Sequence, residues 1–382
     1  MLDKKAENEA LLRWEIDLKQ TLKSILIQLL REEEIKWYQR GKTTKILQGD
    51  MNTKYFQLIA NGKHRKTRIF QLEDGDKIIK GDEELKKYIT NYYRGLFGPS
   101  ENNFLTIDEN RREDIPQVTD DESESLIAMF TQEEVRTAIF QMEHNKAPGP
   151  DGFPAEFYQA FWETIKDDLM ALFQDFHEGI LPLFSLNFGI ITLLPKKAEA
   201  VQIQQYRPIC LLNVSFKIFT KVVVNRLTNV ADKIIRPTQS AFMPRRHILE
   251  GVVVLHETLH ELQRKKLNGV IPKLDFEKAY DKVKWNFLQQ TLRMKGFPEL
   301  WCSWIEAFVT KGSVAIKVND DVGKYFQTKK GLRQGDPLSP LLFNLVADML
   351  AILIERAKQD GQISGLYPTS SGRWYIHLTI CR

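Results

Sequence analysis

The chain has 382 residues, of which 43% are apolar and 27% are charged. This is an ordinary globular composition with enough apolar material for a core, and the length predicts two or three domains. The 54 basic and 50 acidic side chains leave a formal charge of +4, which is too small to indicate a nucleic-acid partner by itself, so charge has to be examined locally.

The cysteines and the apolar runs exclude several protein classes. Cys210, Cys302 and Cys381 are far apart and lack CxxC spacing. We therefore expect neither a disulfide framework nor a zinc site. We expect the protein to lie in a reducing compartment. The N-terminal residues are charged where a signal peptide is apolar, and no apolar run approaches the roughly 18 residues of a membrane span. A secreted or membrane protein is not expected.

The N-terminal region combines a helical pattern with a basic segment. Residues 7–38 are predicted to form one long amphipathic helix, because leucine and isoleucine recur near helical spacing between charged positions. Residues 36–68 hold nine basic residues and one acid, with aromatic residues between them. This pattern is typical of a nucleic-acid contact or of a solvated basic face. The cations at its C-terminal end are Lys63, Arg65, Lys66 and Arg68.

The chain then becomes acidic before it alternates between strand-like and helical patterns. Residues 101–135 hold eleven acids and two arginines and predict a linker. A helix is expected after Thr131, because residues 131–134 have the pattern of a capping box. The strand candidates are 190–194, 269–271 and 314–318, the last of them opening a hairpin that ends near residue 328.

Two segments contain residues with catalytic potential. In KLDFEKAYD at 273–281 an apolar run ends on a carboxylate, and Mg²⁺ favours one or two carboxylates beside water and phosphate oxygens. The simpler alternative is a turn-former or a helix cap. In KKGLRQGDPLSP at 329–340 two glycines and two prolines predict a tight loop, and Pro340 can begin a helix. The simpler alternative here is a loop before a buried helix.

Together these segments resemble the reverse transcriptase of non-LTR (LINE-type) retrotransposons, particularly plant ones. Further matches precede them in the order that the family uses, and the resemblance covers nearly the whole chain. These matches are NKAPGPDG at 145–152, LPK at 194–196, YRPI at 206–209, QSAF at 239–242, and the connector-like segment 37–56. The reverse transcriptase of a group II intron maturase is the weaker alternative, because the GLRQGDPLSP loop and the connector favour the LINE type.

The resemblance implies a metal site and a steric gate. Asp275 would be the first catalytic metal ligand, and the backbone carbonyl of Phe276 a weaker one. The cofactor would be Mg²⁺, with Mn²⁺ as its substitute, in a two-metal site that clamps the attacking and leaving oxygens. Tyr280 would pack against the deoxyribose and reject a 2′-hydroxyl by steric exclusion.

The resemblance also implies contacts to the rest of the nucleotide. Arg207 and Lys196 would contact the incoming triphosphate, for which a planar guanidinium fork is well suited. Gln334 and Gly335 would pack against the nascent base pair. The partners would be an RNA template, a DNA primer or target and a deoxynucleoside triphosphate, in the nucleus or the cytoplasm and without a membrane. The oligomeric state is left open.

Two departures from the family pattern predict impaired activity. The family takes its second carboxylate from an Ala-Asp-Asp hairpin, but after WYIHL at 374–378 this sequence reads TICR, and nothing after Asp360 is acidic. We therefore expect a C-terminally truncated copy that polymerises poorly or not at all. Pro272 replaces the apolar residue usual in the family, which weakens the pairing expected of the strand before Asp275.

The predicted fold class is α+β, with the fingers and a partial palm of a right-hand polymerase behind a helical, basic connector. The domain bounds are 1–70 for the connector, 71–135 for a linker, 136–265 for the fingers and 266–382 for the palm. Two other hypotheses remain: a non-enzymatic RNA-binding remnant that uses the basic segment, and a relic whose half-built palm exposes apolar sheet surface and folds poorly.

Overall fold

The computed structural model describes residues 2–41, 68–99, 107–109, 111–197, 199–266, 274 and 276–363. It divides into two compact units, residues 1–70 and 71–382. Helices and sheet are mixed throughout the second unit, in agreement with the mixed fold class expected from the sequence. None of the helices in the described ranges has both the length and the apolar character that a membrane span requires.

The first unit contains two helices where the sequence predicted one. Helix α1 is Leu2–Asn8 and helix α2 is Arg13–Gly41. The break has a local cause, since the buried carboxylate of Glu15 accepts the backbone N–H of Leu12 (2.9 Å) and the ammonium of Lys5 (2.6 Å). An acceptor three residues into a helix satisfies a free N–H at its start, so a new helix begins here.

The basic segment is described only in part. Lys63, Arg65 and Lys66 lie outside the described residues, as do the strand candidate 269–271, Pro272 and Asp275. Arg68 is exposed, and its guanidinium carbon lies 5.7 Å from the centre of the Phe70 ring. This contact is a cation–π arrangement.

The second unit begins with a β-hairpin and a helix. Strand β1 (Gln71–Asp74) pairs antiparallel with β2 (Lys77–Lys80), and helix α3 (Asp82–Leu96) follows and packs against the strand Ser313–Val318. The segment 71–135, predicted to be a linker, therefore contains regular structure in its first part.

Two short helices in the acidic region start with the same device. Helix α4 is Asp120–Ile127 and helix α5 is Gln132–Phe140. Thr119 and Thr131 are their N-caps, and each exchanges hydrogen bonds with a glutamate three residues later. The prediction for Thr131 is confirmed, whereas the linker prediction for 101–135 misses α4. The acidic residues in the first turn of α4 stabilise the positive N-terminal end of that helix.

A mixed sheet lies at the centre of the second unit. Helices α6 (Ala155–Ala160) and α7 (Trp162–His177) lead into strand β3 (Phe188–Pro195), which pairs antiparallel with β4 (Tyr206–Leu212). Single 3₁₀ turns, Leu183–Ser185 and Ile203–Gln205, precede β3 and β4. Helix α8 (Val214–Ile234) follows β4 at once and buries one face against α5.

The remaining elements complete the sheet and flank it. Helices α9 (Ile248–Lys265), α10 (Trp285–Met294) and α11 (Glu299–Thr310) precede β5 (Ser313–Val318), which is parallel to β3. Strands β6 (Asp321–Val322) and β7 (Phe326–Gln327) both pair antiparallel with β5, and helix α12 (Ser339–Gln359) ends the described chain. The strands predicted at 190–194 and 314–318, the hairpin and the helix at Pro340 are confirmed.

Aromatic packing and a buried ion pair hold this unit together. Phe173 stacks on Phe219, with ring centres 4.2 Å apart, and joins α7 to α8. The ammonium of Lys295 lies 2.6 Å from the carboxylate of Asp348 and 2.6 Å from the carbonyl oxygen of Ile234. Burial lowers the pKa of Lys295, although the charge of Asp348 opposes the shift. This pair connects the end of α10 to α12.

Candidate functional site

A cavity of about 280 Å³ opens between the β3–β4 hairpin, helix α3, residues 276–281 and the start of α12. Five of the residues singled out in the sequence line it together, although they come from distant segments. They are Lys196, Arg207, Phe276, Tyr280 and Gln334. Tyr93, Gln239, Asp281 and Asn344 are among the other lining residues. We call this cavity the central pocket.

Two cations lie at the end of the β3–β4 hairpin. Arg207 on β4 is the register partner of Leu194 on β3, and both Arg207 and Lys196 are exposed. The backbone N–H of Lys196 donates to the carbonyl of Gln205 (2.8 Å), and its ammonium donates to the carbonyl of Gln204 (2.9 Å). The hairpin thus places two positive charges at the central pocket, where they would attract an anion.

An aromatic wall forms another side of the central pocket. Tyr280 is only 4% exposed, and its ring stacks on Phe343 of α12 with centres 4.6 Å apart and planes 15° from parallel. Phe276, by contrast, is 44% exposed. The stacking on Phe343 therefore holds the Tyr280 ring in place at the wall of the central pocket.

The loop 329–336 is bound to the segment that follows Tyr280. The N–H groups of Gly331 and Leu332 donate to the carbonyls of Val283 and Tyr280, each at 2.8 Å. Gly331 has φ +91°, and a Cβ at this position would lie 2.7 Å from the carbonyl oxygen of Asp281. Such a close backbone approach requires glycine. The loop and residues 280–283 therefore form one rigid substructure.

The same loop is bound to strand β4 on its other side. The N–H of Cys210 donates to the carbonyl of Gln334 (2.7 Å). Gly335 has φ +122°, and a Cβ there would lie 2.4 Å from the carbonyl oxygen of Cys210. Gly335 is not among the residues lining the central pocket. Its place in the fold is the contact with β4, which also carries Arg207.

Contacts of a partly buried arginine hold the loop on the side away from the central pocket. The Arg333 guanidinium donates to the carbonyl of Phe308 (2.8 Å) and to the side chain of Asn187, and it lies over the Phe216 ring. Burial raises the pKa of Asp336, although the charge of Arg333 opposes this, and burial lowers the pKa of Lys217. The loop conformation is thus fixed by interactions away from the central pocket.

The glycine-proline motif at 145–152 packs on the far end of β4 and does not line the central pocket. A Cβ at Gly149 would lie 2.4 Å from the backbone nitrogen of Asn213. The N–H of Asp151 donates to the Asn213 side-chain oxygen (3.2 Å), and the Asn213 amide donates to the carbonyl of Leu186 (3.1 Å). The motif 145–152 therefore packs at the end of β4 opposite to Arg207.

Several lining residues were not given a role from the sequence. Asp281 is only 2% exposed, and both its carboxylate oxygens lie near the side-chain amide of Gln334. The Gln239 amide donates to Asn344 on α12 (3.0 Å), which donates in turn to the carbonyl of Ala241 (2.8 Å). Both residues lie in motifs that the sequence singled out, since Asp281 ends the KLDFEKAYD segment and Gln239 begins QSAF. Their burial and their contacts, however, cannot be read from a sequence.

Helix α9 also carries an HExxH pattern, which was given no role from the sequence. His256, Glu257 and His260 have the spacing that places two imidazoles on one helix face, as in zinc proteases. Both histidines are exposed, and the described residues contain no group of three potential metal-binding side chains. Among the described residues, the pattern therefore has no third ligand of the kind that a catalytic zinc site requires.

The sequence is similar to known proteins of one family. Residues 194–367 match the family model described as reverse transcriptase (RNA-dependent DNA polymerase). The uncharacterized 149 kDa protein of transposon TX1 from Xenopus laevis is 30% identical over 322 residues, which are 83% of this chain and 24% of that protein. The chain contains a reverse transcriptase domain of the non-LTR retrotransposon type.

Other relatives of this reverse transcriptase domain are proteins of named retrotransposable elements. The Pol polyprotein of the R2 element from Nasonia vitripennis is 28% identical over 57% of this chain and 21% of its own length. That of element R2DM from Drosophila melanogaster is 26% identical over 59% and 21%. The chain spans about a quarter of the length of such relatives. The resemblance to non-LTR reverse transcriptases is confirmed, while its plant-like character stays a prediction.

The residues that the resemblance implies for a metal site are described only in part. Reverse transcriptases generally use divalent metal ions, but Asp275 lies outside the described residues. Phe276 lines the central pocket, and Asp281, which also lines it, already faces the amide of Gln334. No group of three potential ligands occurs among the residues that the structure describes. The role of Asp275 and the identity of the ion therefore belong to the proposal below.

Proposed function

We propose that the central pocket binds an incoming deoxynucleoside triphosphate, which the domain adds to a DNA primer on an RNA template. One observation carries the proposal. Lys196, Arg207, Phe276, Tyr280 and Gln334 were assigned to nucleotide or metal binding from separate motifs, and all five line a single cavity. A chance similarity of motifs gives no reason for their side chains to meet.

The cationic end of the central pocket is suited to the triphosphate. Arg207 presents five N–H donors in a planar fork, which can bind two phosphate oxygens at once. Lys196 adds a second charge on the same hairpin. Phosphoryl transfer depends mainly on positioning and on stabilising negative charge. These two side chains would therefore hold the phosphates while charge develops on the leaving group.

The aromatic wall is suited to the sugar. Tyr280 is buried and stacked, so it would exclude a 2′-hydroxyl by shape and would not need to form a bond to the sugar. Gln334 lies on the loop that is bound to both Tyr280 and β4. It would pack against the nascent base pair at a fixed distance from Arg207.

We also propose that Asp275 and the carbonyl of Phe276 hold Mg²⁺, which supplies positive charge to the triphosphate when bound. In this proposal residues 136–265, which include the β3–β4 hairpin, are the fingers. Residues 266–382 belong to the palm.

Nucleotide binding provides the first test, because it does not require turnover. A fluorescent deoxynucleoside triphosphate is titrated onto the full chain, and Arg207→Ala is expected to raise the dissociation constant about tenfold, the worth of one charge-assisted contact. Arg136→Ala is the matched control, since Arg136 is exposed on α5 and does not line the central pocket. Equal affinity in all three proteins would reject the pocket assignment.

Primer extension on an RNA template tests the chemistry. It is measured with Mg²⁺ and with Mn²⁺, for the unmodified chain and for Asp275→Ala. Weak extension that disappears in the variant supports the proposal. Extension that survives the loss of the Asp275 carboxylate means that this residue is not the catalytic ligand.

A further inference from the structure

The contact between Asp281 and Gln334 fixes which way the glutamine amide faces. The Nε2 atom of Gln334 lies 3.3 and 3.4 Å from the two carboxylate oxygens of Asp281. An ionised carboxylate only accepts hydrogen bonds, and the nitrogen is the only donor of the amide. The opposite orientation would place the Gln334 oxygen against the carboxylate, so the nitrogen must face Asp281.

This orientation leaves an unsatisfied acceptor. The Gln334 Oε1 atom is buried and has no hydrogen-bond partner among the described residues. Buried polar atoms are nearly always paired, and exceptions in native proteins call for an explanation. Asp281 supplies it: its contact holds the amide in place even though the oxygen on the other side goes unpaired.

The negative charge of Asp281 acts on its surroundings. Burial raises the pKa of the Tyr93 hydroxyl, and the charge of Asp281 raises it further. Burial lowers the pKa of Lys278, and the charge of Asp281 opposes that shift. Tyr93 and Lys278 also line the central pocket. A carboxylate felt by both neighbours is the acceptor-only partner that orients an amide.

The backbones of both residues are already fixed. Residues 280–283 accept hydrogen bonds from Gly331 and Leu332, and the carbonyl of Gln334 accepts from Cys210. The remaining freedom of Gln334 is in its side chain. With only 2% of its surface exposed and its oxygens facing the amide, Asp281 is poorly placed to contact a ligand itself.

We propose that Asp281 is a positioning residue that sets nucleotide affinity through Gln334, by locking the side-chain amide against the wall of the central pocket. The inference rests on the proposed nucleotide binding, which it deepens by assigning a residue that acts without touching the ligand. Gln334 is the group that meets the nucleotide. Asp281 determines its orientation.

The contact itself is tested in the ligand-free chain, independently of nucleotide binding. In a sample with ¹⁵N-labelled glutamine side chains, the NMR signal lost in Gln334→Ala identifies the amide of Gln334. We expect this signal to shift in Asp281→Ala and to exchange slowly with solvent in the unmodified chain. The control Glu277→Ala changes an exposed neighbouring carboxylate and leaves the signal in place. An unmoved signal in Asp281→Ala would overturn the contact.

A double-mutant cycle tests the role. Dissociation constants for a deoxynucleoside triphosphate are measured for Asp281→Ala, Gln334→Ala and the double variant. We expect each single variant to weaken binding about tenfold and the double variant to be no weaker than Gln334→Ala, because Asp281 acts only through that amide. Independent, multiplying losses would reject positioning. Asp281→Asn should be intermediate, since its amide oxygen still accepts from Gln334 but no longer forbids the flipped orientation.

The outcomes separate the two proposals. If the unmodified chain does not bind the nucleotide, the proposed function fails, whereas the NMR result still decides the contact. If it binds and the cycle shows multiplying losses, only the positioning role fails. Thermal unfolding of each variant identifies loss of fold, and in that case Asp281→Asn, which keeps size and shape, carries the cycle in place of Asp281→Ala.

Discussion

In the proposed function, the ring of Tyr280 sets the specificity for the sugar. The ring is stacked on Phe343 and almost fully buried, so under this proposal it forms a fixed wall against a larger sugar. We predict that Tyr280→Val raises the use of a ribonucleoside triphosphate relative to its deoxy counterpart by about tenfold, because the wall recedes where the 2′-hydroxyl would lie. Competitive binding of the two nucleotides measures the ratio.

The matched control for this residue is Tyr280→Phe. It keeps the ring and its stacking on Phe343 while removing the hydroxyl. If discrimination depends on shape, this variant retains it in full. A loss of discrimination in Tyr280→Phe as large as that in the valine variant would show that the hydroxyl, and not the wall, selects the sugar.

The sequence predicted these residues better than their surroundings. Lys196, Arg207 and Gln334 were singled out because each lies in a motif to which the resemblance to reverse transcriptases assigns a contact with the triphosphate or the base pair. Asp281 was not assigned a role, since a sequence shows the residue type but not that the carboxylate is buried against an amide. Gly335 was predicted to pack against the base pair together with Gln334. In the structure it lies directly against the backbone of Cys210.

At the scale of elements, the pair Glu134–Arg226 connects helices α5 and α8. The Arg226 guanidinium binds both carboxylate oxygens of Glu134, at 2.7 and 2.9 Å, and also the carbonyls of Leu126, Ala128 and Met129. Burial alone would raise the pKa of Glu134, but the bonds from Arg226 and from the Thr131 N–H hold it below 4.5. Because this folded-state pKa is depressed, the stabilisation is present above pH 4.5 and is lost as the pH falls through the folded value.

We therefore predict that Glu134→Gln lowers the free energy of unfolding by about 2 kcal/mol at neutral pH, the worth of hydrogen bonds to a charged group. The difference from the unmodified chain should begin to shrink below pH 4.5 and disappear once the pH has fallen through the folded-state pKa, where Glu134 is protonated in both states. Urea denaturation at pH 7 and at a series of pH values below 4.5 measures this change. Glu133→Gln is the control, since Glu133 is an exposed neighbour without this partner. A difference that is constant with pH would contradict the assignment.

The success of the element predictions follows the local signals. Strands β3 and β5 are apolar runs and were predicted, whereas β4 was not identified as a strand and contains Pro208. Among the described strands, β4 lies at the edge of the sheet and pairs with β3 alone, which is where a proline without an N–H is tolerated. Helix α4 was hidden by its acids, although Thr119 and Glu122 carry the same capping signal as α5.

At the scale of the whole molecule, the site depends on contacts between segments that are distant in sequence. Residues 149 and 335 both press their backbones on β4, at Asn213 and Cys210. Spacing and periodicity contain no information about such meetings. Only the order of the motifs, taken with the resemblance to a known family, predicted that they would share one site.

The basic segment provides a whole-molecule prediction about RNA. Single-stranded nucleic acid releases counterions when cations neutralise its phosphates, and each contact adds about −0.7 to the slope of log K against log salt concentration. We predict that changing Lys63, Arg65, Lys66 and Arg68 together to alanine makes the slope for RNA binding shallower by about 2.8, four times this value. Fluorescence anisotropy over a salt series measures the slope.

A control of equal charge shows whether position matters. Changing Lys77, Lys80, Lys311 and Lys324 to alanine removes four exposed cations from the second unit and gives the same net charge. If the segment 63–68 contacts phosphates, the control keeps a slope close to that of the unmodified chain. Equal slopes in both variants would mean that RNA responds to the overall charge of the molecule. The basic segment would then be a solvated face, since its cations would count no more than any others.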